Sequence, residues 1–134
     1  MQISHRQRKQ CEEIAKEFHL KLLFLFGSQA RGDVHAKSDV DFAYLSIQPL
    51  SLETLYELMS RLATIFTIAT DRIDMVDISK ANSLLTFFIA QEGILLAGNQ
   101  VDEDTFYRTS IMKHFDAQPL YELEKEYIRN HYAA

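Results

Sequence analysis

The chain is predicted to be a single α/β domain, in which a small β-sheet is flanked by helices. Three observations predict this class: short apolar runs bounded by glycine or polar residues, longer segments with apolar residues at helical spacing, and the alternation of the two kinds along the chain. The 134 residues are enough for one hydrophobic core, and the composition, 47% hydrophobic and 25% charged, is that of an ordinary globular protein. We therefore treat residues 1–134 as one domain.

The first predicted elements are a helix and two strands. Residues 3–19 place their apolar side chains largely on one helical stripe. The apolar run 21–26, which ends at Gly27, is typical of a buried strand. A short helical turn at 28–31 and a polar loop then lead to a second strand, at 39–46.

The middle of the chain is predicted to alternate again. Ser51 is placed to cap a helix whose apolar residues recur at helical spacing as far as Phe66. A third strand is expected at 72–78. Ser79 is then expected to cap the next helix, which Gly93 ends.

The C-terminal part is predicted to be mainly helical. A short apolar segment at 94–97 is followed by a turn, and two helical stretches, 101–116 and 120–132, are separated near Pro119. Their aromatic residues could form a surface for a partner. These tail helices lie beyond the segment that carries the chemical motif.

Composition and charge limit the classes of function. A net charge of −5 argues against a protein that grips nucleic acid over a wide surface, because such binding rests on basic residues that neutralise phosphates. The basic cluster at residues 5–9 is interpreted as a solvated helix face. Cys11 is the single cysteine and is expected to be a small buried hydrophobe. With a polar N-terminus and no long apolar run, a cytoplasmic location is expected.

The most informative motif joins a glycine-serine pair to two aspartates. Ten residues separate Gly27-Ser28 from Asp39, and Asp41 follows two positions later. Because strand side chains alternate faces, Asp39 and Asp41 are expected to point the same way, and two such carboxylates can hold hard divalent cations. Gly27 lets the backbone approach a phosphate, and Ser28 can begin a helical turn whose free N–H groups favour an anion. The motif indicates a nucleoside-triphosphate site.

This motif resembles the signature of the DNA polymerase β nucleotidyltransferase superfamily. Its fuller form, Gly-Ser-Gln-Ala-Arg-Gly with Ser38 before Asp39, resembles the minimal nucleotidyltransferases (MNT proteins), which are commonly paired with a HEPN-domain protein as antitoxin and toxin. The similarity covers about residues 20–98 and leaves a helical tail at about 101–132. It implies the nucleotidyltransferase fold, with a small mixed β-sheet flanked by helices and with C-terminal helices.

The resemblance also implies a third carboxylate, on a strand beside the first pair. Asp74 matches that position and is our choice, while Asp77 stays the alternative. Strand parity places these two on opposite faces, so only one can join Asp39 and Asp41. The predicted catalytic and metal-binding residues are therefore Asp39, Asp41 and Asp74, with Mg²⁺, expected as two ions, as the cofactor and ATP as the substrate.

Several residues near the motif are candidates for contact with the nucleotide. Gly27 and Ser28 are predicted to fix the β- and γ-phosphates. Arg31 lies one helical turn after Ser28 and either contacts the triphosphate or pairs with a carboxylate; both alternatives stay open. A final group is expected to be solvated, with substrate contact as the minor alternative: His35, Lys37 and Arg72.

The expected function is Mg²⁺-dependent transfer of AMP from ATP to a hydroxyl. The resemblance to MNT antitoxins implies that the acceptor is a tyrosine of a cognate HEPN toxin, which AMPylation inactivates, so that the toxin and ATP are the expected partners. An acceptor on RNA or on a small molecule would suit the same site. An alternative of another class is a non-catalytic antitoxin that neutralises its partner by direct binding.

Overall fold

The structure is a computed structural model that describes residues 2–27, 39–116, 125–127 and 129–130. Helices and strands alternate within these ranges, as the sequence predicts. The strands are β1 (Leu20–Phe26), β2 (Val40–Ser46), β3 (Ile73–Asp77) and β4 (Ile94–Gly98). The α-helices are α1 (His5–Glu17), α2 (Leu52–Phe66), α3 (Ser83–Glu92) and α4 (Gln100–Asp116). In the described part of the chain, no helix is long and apolar enough to span a membrane.

The four strands form one mixed sheet in the spatial order β3-β2-β1-β4. β1 pairs antiparallel with both β2 and β4, whereas β2 and β3 run parallel. The small mixed sheet that the resemblance implies is therefore confirmed. These directions bring the end of β1 and the beginnings of β2, β3 and β4 to the same end of the sheet, which we call the motif end.

Helices cover both faces of the sheet, and each face has its own apolar cluster. α1 and α2 pack over the face that carries Leu23, Leu25 and Phe42. α3 and α4 pack over the opposite face, where the rings of Phe24 and Phe106 lie 5.1 Å apart. β1 is thus buried on both sides, which explains why its sequence is an almost continuous apolar run rather than an alternating one.

Side-chain caps fix the beginnings of the first two helices. Ser4 and Gln7 form a capping box on α1, in which each side chain accepts a hydrogen bond from the other's backbone N–H, at 3.1 and 2.9 Å. Ser51 Oγ accepts from Thr54 N at 3.2 Å, so the predicted cap of α2 is confirmed. The expected burial of Cys11 on the inner face of α1 is also confirmed.

The expectation that Ser79 caps the third helix is wrong. After β3 the chain makes a 3-10 turn at Ile78–Lys80, and the backbone N–H of Ser79 donates to Asp77 Oδ1 at 3.0 Å. α3 begins later and is capped by Asn82, whose Oδ1 accepts from Leu85 N at 2.9 Å. Serine, aspartate and asparagine all favour the N-cap position, so propensity alone does not choose among them.

α3 and α4 carry many apolar side chains, but several of these are exposed. Phe88 of α3 is 40% exposed, and Ile111 and Phe115 of α4 are 48% and 68% exposed, although Phe106 is buried. The second predicted tail helix, 120–132, lies largely outside the described residues, and its described parts, 125–127 and 129–130, are helical. The predicted helical turn and polar loop at 28–38 lie outside them entirely.

Candidate active site

Gly27 stands where β1 ends, directly beside the carboxylate of Asp41. β1 pairs Phe26 with Asp41, which brings the next residue of β1 alongside that aspartate. Gly27 has φ +79°, and a Cβ built on it would fall 3.3 Å from Asp41 Cγ and closer still to Oδ2. Two constraints therefore favour glycine at this position: the backbone is left-handed, and the carboxylate of Asp41 fills the space that a side chain would need.

The register of β2 and β3 brings the second and third predicted carboxylates together. Asp41 and Asp74 are direct partners in this parallel pair, so their side chains point to the same face from strands about 4.8 Å apart. Asp39 lies one residue before β2, at a position of the same parity as Asp41. Asp41 is half-buried, whereas Asp39 and Asp74 are exposed at the motif end.

Asp77 lies on the opposite face and already has other contacts. Its register partner in β2 is Tyr44, not an aspartate. Its Oδ1 accepts hydrogen bonds from the backbone N–H of Ser79 at 3.0 Å and from Ser79 Oγ at 2.7 Å. Burial raises the pKa of the Tyr44 hydroxyl, and the negative charge of Asp77 raises that pKa further. The two alternatives for a third carboxylate thus lie on different faces of the sheet. Asp74 lies beside Asp41, and Asp77 points to the opposite face.

The donor set at the motif end fits a hard divalent cation, although it is not preassembled. Among the side chains that the structure describes, no three of the histidine, cysteine, aspartate and glutamate types stand close enough together to hold a metal ion. All three aspartates nevertheless offer carboxylate oxygens on one face, and Asp41 Oδ2 occupies the space that a side chain on residue 27 would take. Because Asp39 and Asp74 are exposed, their side chains can rotate toward Asp41.

Some predicted residues fall outside the described ranges, and two basic residues differ from expectation. Ser28, together with Arg31, His35 and Lys37, remains a prediction. Arg72 was expected to be solvated, but it is partly buried at the motif end, in a 3-10 turn that precedes β3. Arg8 was also placed on a solvated face, yet its Nη1 donates to Leu95 O at 2.9 Å. No local sequence pattern predicts this contact, because the two positions are 87 residues apart in the chain.

A cavity of about 580 Å³ is not the candidate site, in spite of its size. Phe18, His19 and Ile47 are among the residues that line it. Those residues lie where β1 begins and β2 ends, which is the end of the sheet opposite Asp41 and Asp74.

The comparisons with known proteins agree with this geometry. The sequence matches the family model "Polymerase beta, Nucleotidyltransferase" over residues 9–102, a segment that contains Gly27 and the three aspartates. It is 31% identical over 123 residues to the protein adenylyltransferase MntA of Aphanizomenon flos-aquae, covering 84% of this chain and 80% of that protein. The protein of the same name from Shewanella oneidensis is 33% identical over 101 residues, covering 74% of this chain and 70% of that protein.

The fold is similar to a solved structure as well. A crystal structure of a toxin–antitoxin with AMP-PNP superposes with a TM-score of 0.72 at 25% sequence identity, covering 90% of this chain and 97% of that chain. Sequence and fold therefore agree over the same region of the molecule, the sheet and its motif end. The chain belongs to the polymerase β nucleotidyltransferase family.

Proposed function

We propose that the chain transfers AMP from ATP to a tyrosine hydroxyl of a cognate HEPN toxin, and that it acts by this AMPylation as the antitoxin. The observation that carries the proposal is the register pair of Asp41 and Asp74, with Gly27 packed against Asp41. Two relatives that carry the name protein adenylyltransferase support the reaction. The similar toxin–antitoxin structure with an ATP analogue supports the nucleotide and the kind of partner.

Asp39, Asp41 and Asp74 are the residues that would hold Mg²⁺, as two ions. Bound there, the metal would offset the charge of the phosphates and stabilise both the attacking and the leaving oxygen. The half-buried Asp41 is the fixed member of the set, because the backbone of Gly27 lies against its carboxylate. The exposed members would complete the donor set, Asp39 from two positions earlier in the chain and Asp74 from the neighbouring strand.

The glycine-serine turn would bind the triphosphate. The backbone N–H of Gly27 and the hydroxyl of Ser28 would donate hydrogen bonds to oxygens of the β- and γ-phosphates. Such donors act best where no side chain keeps the phosphate at a distance, and Gly27 has none. Arg31 would contribute either directly to the triphosphate or by pairing with a carboxylate that shapes the turn.

The group transfer is a single displacement at the α-phosphorus of ATP. The tyrosine oxygen forms a bond to this phosphorus, the bond from the phosphorus to the oxygen shared with the β-phosphate breaks, and pyrophosphate leaves with that electron pair. Asp74, which is exposed beside Asp41, would accept the proton of the tyrosine hydroxyl. The products are the AMP–tyrosine phosphodiester and pyrophosphate. ATP is supplied in the cytoplasm, which is the compartment we propose.

The proposal is tested with purified protein, purified partner, Mg²⁺ and ATP labelled in the adenine or α-phosphate. The partner should gain the mass of one or more AMP groups on tyrosine, and the Asp41→Asn variant should give no gain. A partner that gains the mass of a phosphate but none of the label would indicate phosphorylation and contradict the proposal. A partner that is neutralised without any gain in mass would favour neutralisation by contact alone.

A further inference from the structure

We propose that Phe26 is a positioning residue for the transfer reaction, because its ring confines the carboxylate of Asp41 to the side of the site where the metal would bind. Phe26 is the last residue of β1 and the register partner of Asp41 in β2. The inference deepens the proposed function and rests on it in one respect, namely that Asp41 is a metal ligand. It assigns a role to a side chain that has no polar atom.

Three side chains stand in one row across the sheet at the motif end. The register pairs Asp74 of β3 with Asp41 of β2, and it pairs Asp41 with Phe26 of β1. Residues directly opposite in an antiparallel pair point to the same face, with their Cβ atoms about 4.5–5.5 Å apart. The ring of Phe26 and the carboxylate of Asp74 are therefore the two cross-strand neighbours of Asp41, one on each side.

The packing of the neighbouring residues agrees with this face. Phe26 packs against the apolar cluster under α3 and α4, to which Phe24 also belongs. Ala43, two residues after Asp41 in β2, is fully buried in the same cluster. Because strand residues two positions apart share a face, Asp41 lies on the same face as Phe24, Ala43 and Phe26.

Asp41 is thus bounded on two sides by apolar groups and on two sides by acids. Phe26 lies beside it on β1 and Ala43 follows it on β2, whereas Asp74 lies beside it on β3 and Asp39 precedes it. A phenyl ring and a methyl group donate no hydrogen bond to a carboxylate. On this face, the side of Asp41 left for a ligand is the one that it shares with the other two acids, where a divalent cation would offset their repulsion.

The ring of Phe26 is suited to this role because packing holds it in place. The four residues before it, 22–25, are fully buried, whereas Phe26 is partly exposed. The apolar strand therefore reaches the open end of the site at this residue. Contact with the cluster under α3 and α4 fixes part of the ring and leaves the rest beside Asp41.

A second register pair of an aspartate with an aromatic residue provides a contrast. Tyr44, which carries a hydroxyl, pairs with Asp77 on the opposite face of the sheet. Asp77 Oδ1 accepts two hydrogen bonds from Ser79, at 3.0 and 2.7 Å, and so it has polar partners of its own. The aromatic neighbour of Asp41 offers no donor that could compete with a metal for the carboxylate.

Removal of the Phe26 ring should loosen Asp41 and admit water beside it. A carboxylate with more accessible rotamers and a fuller hydration shell binds a metal less tightly, because it gives up both on binding. Changes to the groups that surround the ligands of a metal site typically lower metal affinity or activity by roughly 10–100-fold. We therefore expect the metal affinity to fall as the side chain at position 26 becomes smaller.

The first test is metal binding, which needs no turnover. The probe is Mn²⁺, whose free ion is quantified by electron paramagnetic resonance, added to the full chain with an ATP analogue that has a methylene group between the α- and β-phosphates. Phe26→Leu should bind Mn²⁺ nearly as well as the wild type, Phe26→Val less well, and Phe26→Ala roughly tenfold more weakly. The order of the leucine and valine variants decides the test if the alanine variant does not fold.

The matched control is the same series of substitutions at Phe66. This residue is 8% exposed, and its ring lies 5.6 Å from that of Phe42, on the face of the sheet opposite Asp41. Its variants should lose stability in urea titration and keep their affinity for Mn²⁺. Equal losses of affinity in the two series would overturn the inference.

Asp41→Asn is the reference for a lost ligand. If this variant loses Mn²⁺ binding while the whole Phe26 series binds like the wild type, the inference alone is overturned. If Asp41→Asn binds Mn²⁺ as well as the wild type, the metal assignment in the proposed function is wrong, and the inference fails with it.

The second test is the dependence of AMP transfer on Mg²⁺. In Phe26→Ala, kcat at saturating ATP should fall roughly tenfold or more, and the Mg²⁺ concentration that gives the half-maximal rate should rise. Phe26→Leu should restore most of both values. A lower rate with unchanged Mg²⁺ dependence would overturn the inference, because a merely structural residue lowers only the fraction of active protein. An absence of transfer by the wild type, with the order of the Mn²⁺ series intact, would count against the proposed function alone.

Discussion

Gly27 and Asp41 join the two halves of the motif directly: the backbone at the end of β1 lies against the carboxylate at the start of β2. The sequence separates them by 14 positions, and the antiparallel pairing of β1 with β2 brings them side by side. The half that we assign to phosphate therefore meets the half that we assign to metal within a single contact.

Gly27→Ala should remove AMP transfer and reduce stability. A Cβ at this position would collide with Asp41 Oδ2, and an alanine at φ +79° is strained by about 1–2 kcal/mol. We expect a lower free energy of unfolding in denaturant titration, together with loss of detectable transfer.

Gly98→Ala is the matched control for that prediction. Gly98 also has a positive φ, +150°, and a Cβ there would lie 2.6 Å from Leu22 Cδ2, but it stands at the end of the sheet away from the aspartates. It should lose stability while retaining most of its transfer activity at a temperature where it is folded. Equal retention of transfer by both variants would mean that the contact between Gly27 and Asp41 has no role in the site.

Asp74→Asn and Asp77→Asn should have opposite effects. Asp74 lies beside Asp41, so its neutral amide should lower kcat roughly 100-fold or more while leaving the unfolding midpoint nearly unchanged. Asp77→Asn weakens the hydrogen bonds from Ser79 and should cost up to about 1–2 kcal/mol of stability, with transfer retained in the folded protein. Steady-state transfer and urea titration of both variants decide this, and the reverse pattern would make Asp77 the third carboxylate.

Cys11 should make the stability of the protein depend on pH above about 9. Burial raises the pKa of its thiol from 9.0 to about 12. The folded chain therefore keeps the thiol protonated between these values while the unfolded chain releases the proton, which favours unfolding as pH rises. The free energy of unfolding that depends on this thiol is at its full value well below pH 9. It declines by about 1.4 kcal/mol by pH 10. Urea titrations at pH 8 and 10 should show this decline in the wild type and a smaller one in Cys11→Ala. An equal decline in the free energy of unfolding of both proteins would contradict the role assigned to Cys11.

The sequence predicted those parts of the fold that rest on local patterning. The apolar run before Gly27, the helical stripe that includes Cys11, and the cap at Ser51 all follow from spacing within a few residues, and the structure confirms them. Strand parity also separated Asp74 from Asp77 correctly, because the two-residue period of a strand needs no tertiary information.

The features that were not predicted from the sequence depend on competition between possible N-cap residues or on contacts between positions far apart in the chain. Asp77, Ser79 and Asn82 are all good caps, and only the path of the chain after β3 decides which of them is used. The contact from Arg8 to Leu95 joins positions 87 residues apart, so it follows from the packing of α1 against β4. Neither outcome is encoded in the residues next to it.

The most direct measurement of the central claim is the inactivation of the partner by a trace of this protein. With excess ATP and Mg²⁺, substoichiometric wild-type protein should inactivate nearly all of the toxin, and the inactivation should persist after the antitoxin is removed, because the modification is covalent. Asp39→Asn/Asp41→Asn should fold, bind the toxin and fail to inactivate it, since neutral amides are poor ligands for Mg²⁺. If the double variant neutralises the toxin as well as the wild type, and both require equimolar amounts, the protein acts by contact and the catalytic account is wrong.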